Sequence, residues 1–343
     1  MNQPDPMWTD EARALRESVR ALLTRRAGPT EVRVAMDSPL GYDDKLWSTL
    51  CEQIGVAALL IPEEYDGAGA GLAEACVVLE ELGRGLVPSP MLGSAVLCGQ
   101  ALLWSGDDDA CRRLLPGIAA GTTLAALAWS DADGRWEPAC TVTDGLLSGT
   151  AHYVLDGDRA DVLLVPARTA EGTGLFEVAV ADARRAPSTT LDPTRRMAVV
   201  AFDRARARRL GGEFDLARLR RVAVVALAAE QVGAAARALE LTVDYTKQRH
   251  QFGRPIGGFQ ALKHRMADVH VRVEAARSAL YGALTGDEPA ADAATARVVC
   301  SEALRLAAAE MIQLHGGIAI TWEHDAHLYF KRAHGSALLF GTP

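Results

Sequence analysis

The stretch that decides how this 343-residue chain is interpreted is QRHQFGRPIGGFQALKHRMAD, residues 248–268. Tyr245 and Arg249 lie four residues apart, so they share one face of a helix, and the Gly and Pro residues that follow end this helix just after Arg249. A guanidinium fixed at a helix end can donate paired hydrogen bonds to a phosphate, and Gly253 lets the backbone approach closely. The same spacing also fits an exposed helix end with an ordinary arginine followed by a turn.

The spacing of apolar residues divides the chain into three regions. Residues 9 to about 114 show the three- and four-residue spacing of helices, with Thr9 placed as the first N-cap. Short β-branched runs between about 116 and 202 predict a small β domain. Helical spacing returns from 215 to 339 in three long Ala-rich stretches. We therefore predict a mainly α protein with a middle β domain, divided as an N-terminal helical domain 1–115, a middle β domain 116–210 and a C-terminal helical bundle 211–343.

The amino-acid composition limits the kinds of binding partner and the cellular location that we expect. The 36 basic and 44 acidic residues give a formal charge of −8 without a charged block, so nothing indicates a nucleic-acid partner. The six cysteines form no C-x-x-C pair and have no histidine at metal-ligand spacing, which indicates reduced core residues and no metal site. We find neither a signal peptide nor the ~20 apolar residues of a membrane span, and expect a cytoplasmic protein. The cysteines are Cys51, Cys76, Cys98, Cys111, Cys140 and Cys300.

Four blocks, in order along the chain, carry a resemblance to a known family. The central stretch contains R-x-x-F-G-x-x-I-x-x-x-Q, residues 249–260. The other three blocks are IPEEYDGAGAGLAEACVVLEELGR (61–84), GTAHYVLDGDRADVLLVPAR (149–168) and QLHGGIAITWEHDAHLYFKRA (313–333). Together they resemble the acyl-CoA dehydrogenase family over essentially the whole chain. The resemblance implies an N-terminal helical domain, a β-barrel-like middle domain and a C-terminal four-helix bundle, with FAD as cofactor and an acyl-CoA as substrate.

The resemblance also implies where the cofactor binds. In this family the flavin lies between the β domain and the C-terminal bundle, and a neighbouring subunit holds its adenine end. Carried over by position, Arg249, Gln251 and Phe252 meet the pyrophosphate and adenosine of a flavin bound mainly to the partner chain, and Gln313 and Gly317 meet the same end. The alternative that these residues only hold the subunit interface remains open. The family further implies an electron-transfer flavoprotein as electron acceptor.

The ring end of the predicted flavin site departs from the family pattern. Where the family has Trp-Ile-Thr, this chain has Tyr153-Val154-Leu155, so Tyr153 can stack on the ring while Leu155 offers no hydroxyl. Ser130 could supply the hydroxyl of the family's Thr-Glu-Pro segment, and its neighbour Trp129 is either a flavin contact or a core aromatic. Thr342 matches the threonine of the family's Tyr-Glu-Gly-Thr segment.

The proton-abstracting carboxylate of the family is missing from both of its usual positions. The glutamate of Tyr-Glu-Gly-Thr corresponds to Phe340, and the position used by other members, near the start of a preceding helix, corresponds to Ala223. Neither side chain accepts a proton. Glu230, His315 and His334 are the titratable residues nearby in sequence. Each of the three is better explained by a structural role than by catalysis.

This combination resembles one subunit type of the actinobacterial α2β2 acyl-CoA dehydrogenases that act on steroid-derived CoA thioesters, namely the subunit that has lost the base. Three hypotheses follow. The chain is half of a heteromeric enzyme whose partner carries the glutamate, an independent homo-oligomeric dehydrogenase with an unusual base, or a non-catalytic scaffold that binds flavin or acyl-CoA.

Overall fold

The protein is described here as a computed structural model that covers residues 9–341, so Thr342 lies outside the described residues. The N-terminal part is helical. Its first helix begins as predicted, because the Thr9 hydroxyl accepts a hydrogen bond from Ala12 N at 3.1 Å. Its helices are α1 (Asp10–Arg26), α2 (Pro29–Met36), α3 (Asp44–Thr49), α4 (Leu72–Arg84), α5 (Gly99–Ser105) and α6 (Asp108–Ala119), with π-helical segments at Leu50–Ile54 and Met91–Cys98.

The middle part is a closed sheet. Its strands are β1 (Ala125–Leu127), β2 (Cys140–Thr143), β3 (Leu146–Leu155), β4 (Val162–Thr169), β5 (Gly172–Val178), β6 (Ala183–Pro187) and β7 (Met197–Glu213). Strands β4, β2, β3, β7 and β5 pair in that order, and β5 pairs back with β4, which closes a barrel. β1 adds to β4 and β6 adds to β7. The barrel encloses an apolar core of its own.

The C-terminal part contains four helices, as predicted. They are α7 (Leu216–Gln248), α8 (Gln260–Thr285), α9 (Pro289–His315) and α10 (Ala326–Leu338), and a hairpin of β8 (His250–Gln251) and β9 (Arg254–Pro255) joins α7 to α8. The observed order of helices, barrel and helix bundle confirms the predicted fold class. All six cysteines are free and buried, which confirms them as core residues.

Helix α7 is the central element of the structure. Among residues 9–341 it alone is long and apolar enough to cross a membrane by length and composition, but 83% of its apolar window is buried within the protein, as in a core helix. Its close crossing with α4 depends on two glycines. A Cβ on Gly233 would overlap the carbonyl oxygen of Glu80, and one on Gly83 would overlap that of Glu230. The two backbones therefore touch only because neither position has a side chain.

A buried ion cluster joins the middle part to the C-terminal helices. Arg332 on α10 donates to Asp192 Oδ2 at 2.6 Å and to Thr194 Oγ1 at 2.6 Å, and both acceptors lie in the loop before β7. From the same loop, Arg195 forms an ion pair with Glu230 of α7, and Arg332 lies 3.6 Å from this carboxylate. Glu230 therefore has a structural role at a domain contact, as the sequence analysis favoured.

Candidate functional site

The predicted cofactor residues at the end of α7 lie beside those at the end of α9. We call Arg249, Gln251, Phe252, Gln313 and Gly317 the arginine cluster. The two helix ends are joined by Tyr245, whose hydroxyl donates to the His315 carbonyl at 3.2 Å and whose ring stacks on the His315 ring at 4.2 Å. The fold thus brings together two segments that are more than sixty residues apart in sequence.

The arginine cluster faces outward. All five of its residues are exposed, and Phe252 at the tip of the β8–β9 hairpin is 91% exposed. Within the described part of the chain, Arg249 has no carboxylate at salt-bridge distance. Gly253 and Gly316 have φ angles of +77° and +67°, yet a Cβ at either residue, or at Gly317, would meet nothing within 4 Å. These glycines therefore leave open space outside the chain, where a ligand can approach the backbone.

His315 is held neutral beneath this cluster. Its Nδ1 lies 2.8 Å from the Met311 carbonyl and so carries the proton, which leaves Nε2 as an acceptor. Nε2 is buried and has no hydrogen-bond partner among the described residues. Burial lowers the pKa of His315 to about 4. This ring lies under the end of α9 and is neutral at physiological pH. It stacks on the Tyr245 ring and positions the two helix ends. With so low a pKa it is not suited to act as a base.

A second group of predicted residues lines a cavity of about 1230 Å³ between the barrel and helices α9 and α10. Tyr153 enters its wall from a β-bulge in β3, where the register with β7 shifts between Ala151 and Val154. Tyr153 has a φ of +55°, and its hydroxyl donates to the Ala132 carbonyl at 3.0 Å. A bulge turns a side chain out of the regular alternation of a strand, so this one presents the tyrosine ring to the cavity.

Ser130 lies behind the cavity wall, whereas its neighbour Trp129 belongs to the wall. The Ser130 side chain is fully buried, donates to the Asp131 carbonyl at 3.0 Å and is not among the cavity-lining residues. Trp129 lines the cavity and is 1% exposed, so it belongs both to the wall and to the core.

Aromatic side chains fill the position at which the sequence analysis expected a base. Phe340 is fully buried, and its ring lies 5.6 Å from that of Trp129 and 5.4 Å from that of Trp136. Ala223 is also fully buried, and Arg220, one turn before it on α7, donates to the Phe340 carbonyl at 3.4 Å. The two positions at which a carboxylate was expected therefore lie in the same region of the core. We call Trp129, Trp136 and Phe340 the aromatic plug.

The cavity extends from the start of α7 to the middle of α9. Arg220, near the start of α7, and Arg305 on α9 both line it. Gln313 of the arginine cluster follows Arg305 by eight residues on α9, which at ~1.5 Å per residue is about 12 Å along the helix. None of the five residues of the arginine cluster lines the cavity.

Family models match at both ends of the chain. The N-terminal domain of acyl-CoA dehydrogenase matches residues 9–122, and the C-terminal domain matches residues 219–343. The acyl-CoA dehydrogenase IpdE2 of Mycobacterium tuberculosis is 48% identical over 97% of this chain and 94% of its own length. The chain belongs to the acyl-CoA dehydrogenase family.

Solved structures of acyl-CoA dehydrogenases agree with this assignment. The ChsE4–ChsE5 complex from Mycobacterium tuberculosis contains a chain with a TM-score of 0.90 and 29% identity, covering 99% of this protein and 95% of that chain. The steroid acyl-CoA dehydrogenase variant Tcur3481–Tcur3483 G363A has a TM-score of 0.87 and 33% identity, and the match covers 97% of this protein and 94% of that chain. As predicted, the protein is an oxidoreductase of the acyl-CoA class, and membership of this flavoprotein family supports FAD as its cofactor.

The sequence analysis of this acyl-CoA dehydrogenase missed the residue that holds the base-position segment in place. Arg297 on α9 is buried and donates to the carbonyls of Ser336, Ala337, Leu339 and Gly341 at 2.7–3.0 Å. Burial lowers its pKa to about 10. The signal available in sequence was a lone arginine on the apolar face of an Ala-rich helix, in AATARVVC.

Proposed function

We propose that this protein is the base-lacking subunit of a heteromeric FAD-dependent acyl-CoA dehydrogenase, which introduces an α,β double bond into an acyl-CoA thioester. The partner subunit supplies the catalytic glutamate. The observation that carries the proposal is the aromatic plug, since Phe340 is fully buried against two tryptophans where a proton acceptor is needed. Phe340 cannot take the α-proton that this reaction removes.

The arginine cluster fits the diphosphate and adenosine end of FAD. A diphosphate is best held by a guanidinium together with close backbone approach, and Arg249, Gly253 and Gly317 offer both on an exposed surface. FAD supplies the redox chemistry when it is bound, by accepting the β-hydride. In the proposed assembly Arg249, Gln251, Phe252, Gln313 and Gly317 hold a flavin whose ring end lies in the partner subunit. The exposure of the cluster supports this division between two chains, since all five of its residues face solvent and none of them lines this chain's own cavity.

The titles of related structures support the proposed assembly and substrate class. One describes a complex of two differently named chains, ChsE4 and ChsE5, and another a steroid acyl-CoA dehydrogenase. We therefore propose a steroid-derived CoA thioester as substrate, an electron-transfer flavoprotein as acceptor, and the cytoplasm as location. Within this proposal Tyr153 and Thr342 remain candidate contacts of a flavin ring. Ser130, whose side chain is buried and does not line the cavity, is not one of them.

The test of the proposal is flavin content after Arg249→Ala. The protein is co-expressed with its candidate acyl-CoA dehydrogenase-like partner, and FAD absorbance per assembly is measured beside the helical circular dichroism. We expect a loss of about tenfold or more in flavin affinity with unchanged helix content, because a charged bidentate contact is removed. Arg254→Ala, on the same hairpin, is the matched control and retains FAD. Full flavin content in Arg249→Ala would contradict the role of the cluster.

An independent dehydrogenase is the second candidate function. It is favoured by one observation, that His334 lines the cavity and could accept a proton there. The chain purified alone distinguishes the two. A yellow homo-oligomer that bleaches with an acyl-CoA, and loses this ability in His334→Ala, would support the independent enzyme. A colourless chain that gains flavin and turnover only with a partner supports the heteromer.

A further inference from the structure

The cavity between the barrel and helices α9 and α10 is not filled by the flavin of the arginine cluster. In the proposed assembly the ring of that flavin lies in the partner subunit. The volume of about 1230 Å³ exceeds the ~300–1,000 Å³ that is typical of small-molecule sites. The cavity is therefore large enough for a ligand of its own. Its wall carries four large aromatic side chains, namely Trp129, Trp136, Tyr153 and Phe330.

A buried positive charge lies directly behind the cavity wall. Arg297 is 3% exposed, and it donates hydrogen bonds only to a hydroxyl and to main-chain carbonyls, which are neutral. Its Nε is also buried and has no acceptor among residues 9–341. Burial and, after it, the like charge of Arg220 lower its pKa, and no carboxylate of the described chain acts in the opposite direction. Since buried charges are normally paired, this guanidinium favours an anion nearby.

Arg220 brings a second guanidinium to the cavity wall itself. Its Nε donates to the Phe340 carbonyl at 3.4 Å, and its two Nη groups have no acceptor in the described part of the chain. A Cβ on Gly341 would lie 3.2 Å from Nη2, so this glycine leaves room for the guanidinium. The unpaired edge of Arg220 can therefore donate two parallel hydrogen bonds to a carboxylate.

The other charged residues around the cavity leave an excess of positive charge. Ion pairs neutralise four of the lining residues, namely Asp133 with Arg135, Asp192 with Arg332 and Arg195 with Glu230. Among residues 9–341, three guanidinium groups and two carboxylates at or behind the wall then belong to no ion pair. These are Arg220, Arg297 and Arg305 against Glu137 and Glu302.

We propose that this cavity is a non-catalytic binding site for an apolar carboxylic acid that contains rings. The carboxylate pairs with Arg220 in front of Arg297, and the rings lie against the aromatic side chains of the wall. Trp129 and Trp136 of that wall belong to the aromatic plug, which occupies the place of a proton acceptor, so the bound acid is not dehydrogenated there. The ligand class is that of the free acids from which acyl-CoA thioesters are made. The site depends neither on the arginine cluster nor on a bound flavin.

The experiment compares two fluorescent probes that have the same rings, 1-pyrenebutyrate with a carboxylate and 1-pyrenebutanol with a neutral hydroxyl. Each is titrated into the purified protein at pH 7, and pyrene fluorescence gives the Kd. We expect the acid to bind about tenfold more tightly than the alcohol, because it gains a charge-assisted hydrogen bond. Arg220→Gln, which removes the charge, abolishes this preference. Arg135→Gln, which changes a lining arginine already paired with Asp133, is the control and retains it. Phe330→Ala weakens both probes alike, since it removes a ring from the wall.

Three results would overturn the inference. Equal Kd values of the acid and the alcohol for the wild type would show that the cavity recognises no anion. A preference for the acid that survives Arg220→Gln would place the anion elsewhere. Complete displacement of 1-pyrenebutyrate by riboflavin would show that the cavity is a site for a flavin ring. Flavin content is measured separately, by absorbance of the Arg249→Ala assembly, so failure of the proposed function is distinguishable from failure of this inference.

Discussion

At the scale of single residues, the base position is closed by packing and not merely changed in chemistry. Phe340 lies against Trp129 and Trp136, and Trp136 Nε1 donates to the Leu216 carbonyl at 2.8 Å. The sequence analysis predicted that a carboxylate is absent here, because the residue type at each position is read directly from the sequence. It could not find Trp136, since a tryptophan in a loop gives no sign of which distant ring it will meet.

Phe340→Glu is therefore expected to destabilise the protein and not to create a base. A carboxylate between two tryptophans loses its hydration, which raises its pKa and costs several kcal/mol, of order 3–5 kcal/mol at neutral pH. The free energy of unfolding in urea measures the loss, and acyl-CoA oxidation by the variant chain stays absent. Phe340→Leu is the control, with a loss of about 1 kcal/mol. Dehydrogenase activity gained by Phe340→Glu would contradict a closed site.

Asp156 makes the stability of the protein depend on pH. Burial raises its pKa from 3.8 to about 7, and nearby Arg195 only partly offsets this. The folded state then binds a proton that the unfolded state has released, so this group lowers stability as pH rises from about 4 to about 7. At 1.36 kcal/mol per pKa unit the loss is of order 4 kcal/mol.

Asp156→Asn removes this dependence. Asparagine tolerates the φ of +53° at this position, so the backbone is unchanged. The advantage of the variant over the wild type in urea unfolding grows as pH rises through the same window and is flat above it. A constant difference between the two proteins at every pH would show that Asp156 does not titrate in the folded state.

At the scale of secondary-structure elements, the periodicity of apolar residues identified the helical regions and the middle strands well. It worked because outer helices such as α1 bury one face and leave the other in solvent, whereas the central helix α7 is recognised by its length and apolar composition. It could not predict the π-helical segments. It also could not predict the pairings of β2 with β4 and of β5 with β7 that complete the barrel, since these strands are not consecutive in sequence. The position of Tyr153 in a bulge was also hidden, since a bulge changes register without changing composition.

The crossing of α4 and α7 is the most sensitive contact between helices. Gly233→Ala places a methyl group against the Glu80 carbonyl, where only backbone movement can make room. We expect a loss of about 1–3 kcal/mol, measured by urea unfolding. Gly282→Ala in α8 is the matched control, because a Cβ there meets nothing within 4 Å. It should gain about 0.5–1 kcal/mol from helix propensity. Equal effects of the two substitutions would refute a close crossing.

At the scale of the whole molecule, the barrel and the C-terminal helices are joined by the buried ion cluster around Arg332. Asp192→Ala leaves this guanidinium its hydrogen bonds to Thr194, but its nearest carboxylate is then the more distant Glu230, 3.6 Å away. Removing one partner of a buried pair costs about 3–5 kcal/mol. Calorimetry should therefore show a markedly lower unfolding temperature. Glu171→Ala, which breaks the exposed pair with Arg209, is the control and changes stability by less than about 1 kcal/mol. Similar losses of stability in both variants would show that the buried ion cluster contributes no more than an exposed ion pair.

The contacts of Arg297 bear on which side chains the segment 336–341 can carry. Apart from one bond to the Ser301 hydroxyl, its hydrogen bonds go to main-chain carbonyls of residues 336–341, and these carbonyls are present whatever side chains the segment carries. The anchor is therefore indifferent to the identity of residue 340. A phenyl ring and a carboxylate at residue 340 can therefore follow the same backbone path. In the heteromer proposed above, this surface keeps its shape whichever of the two side chains is present.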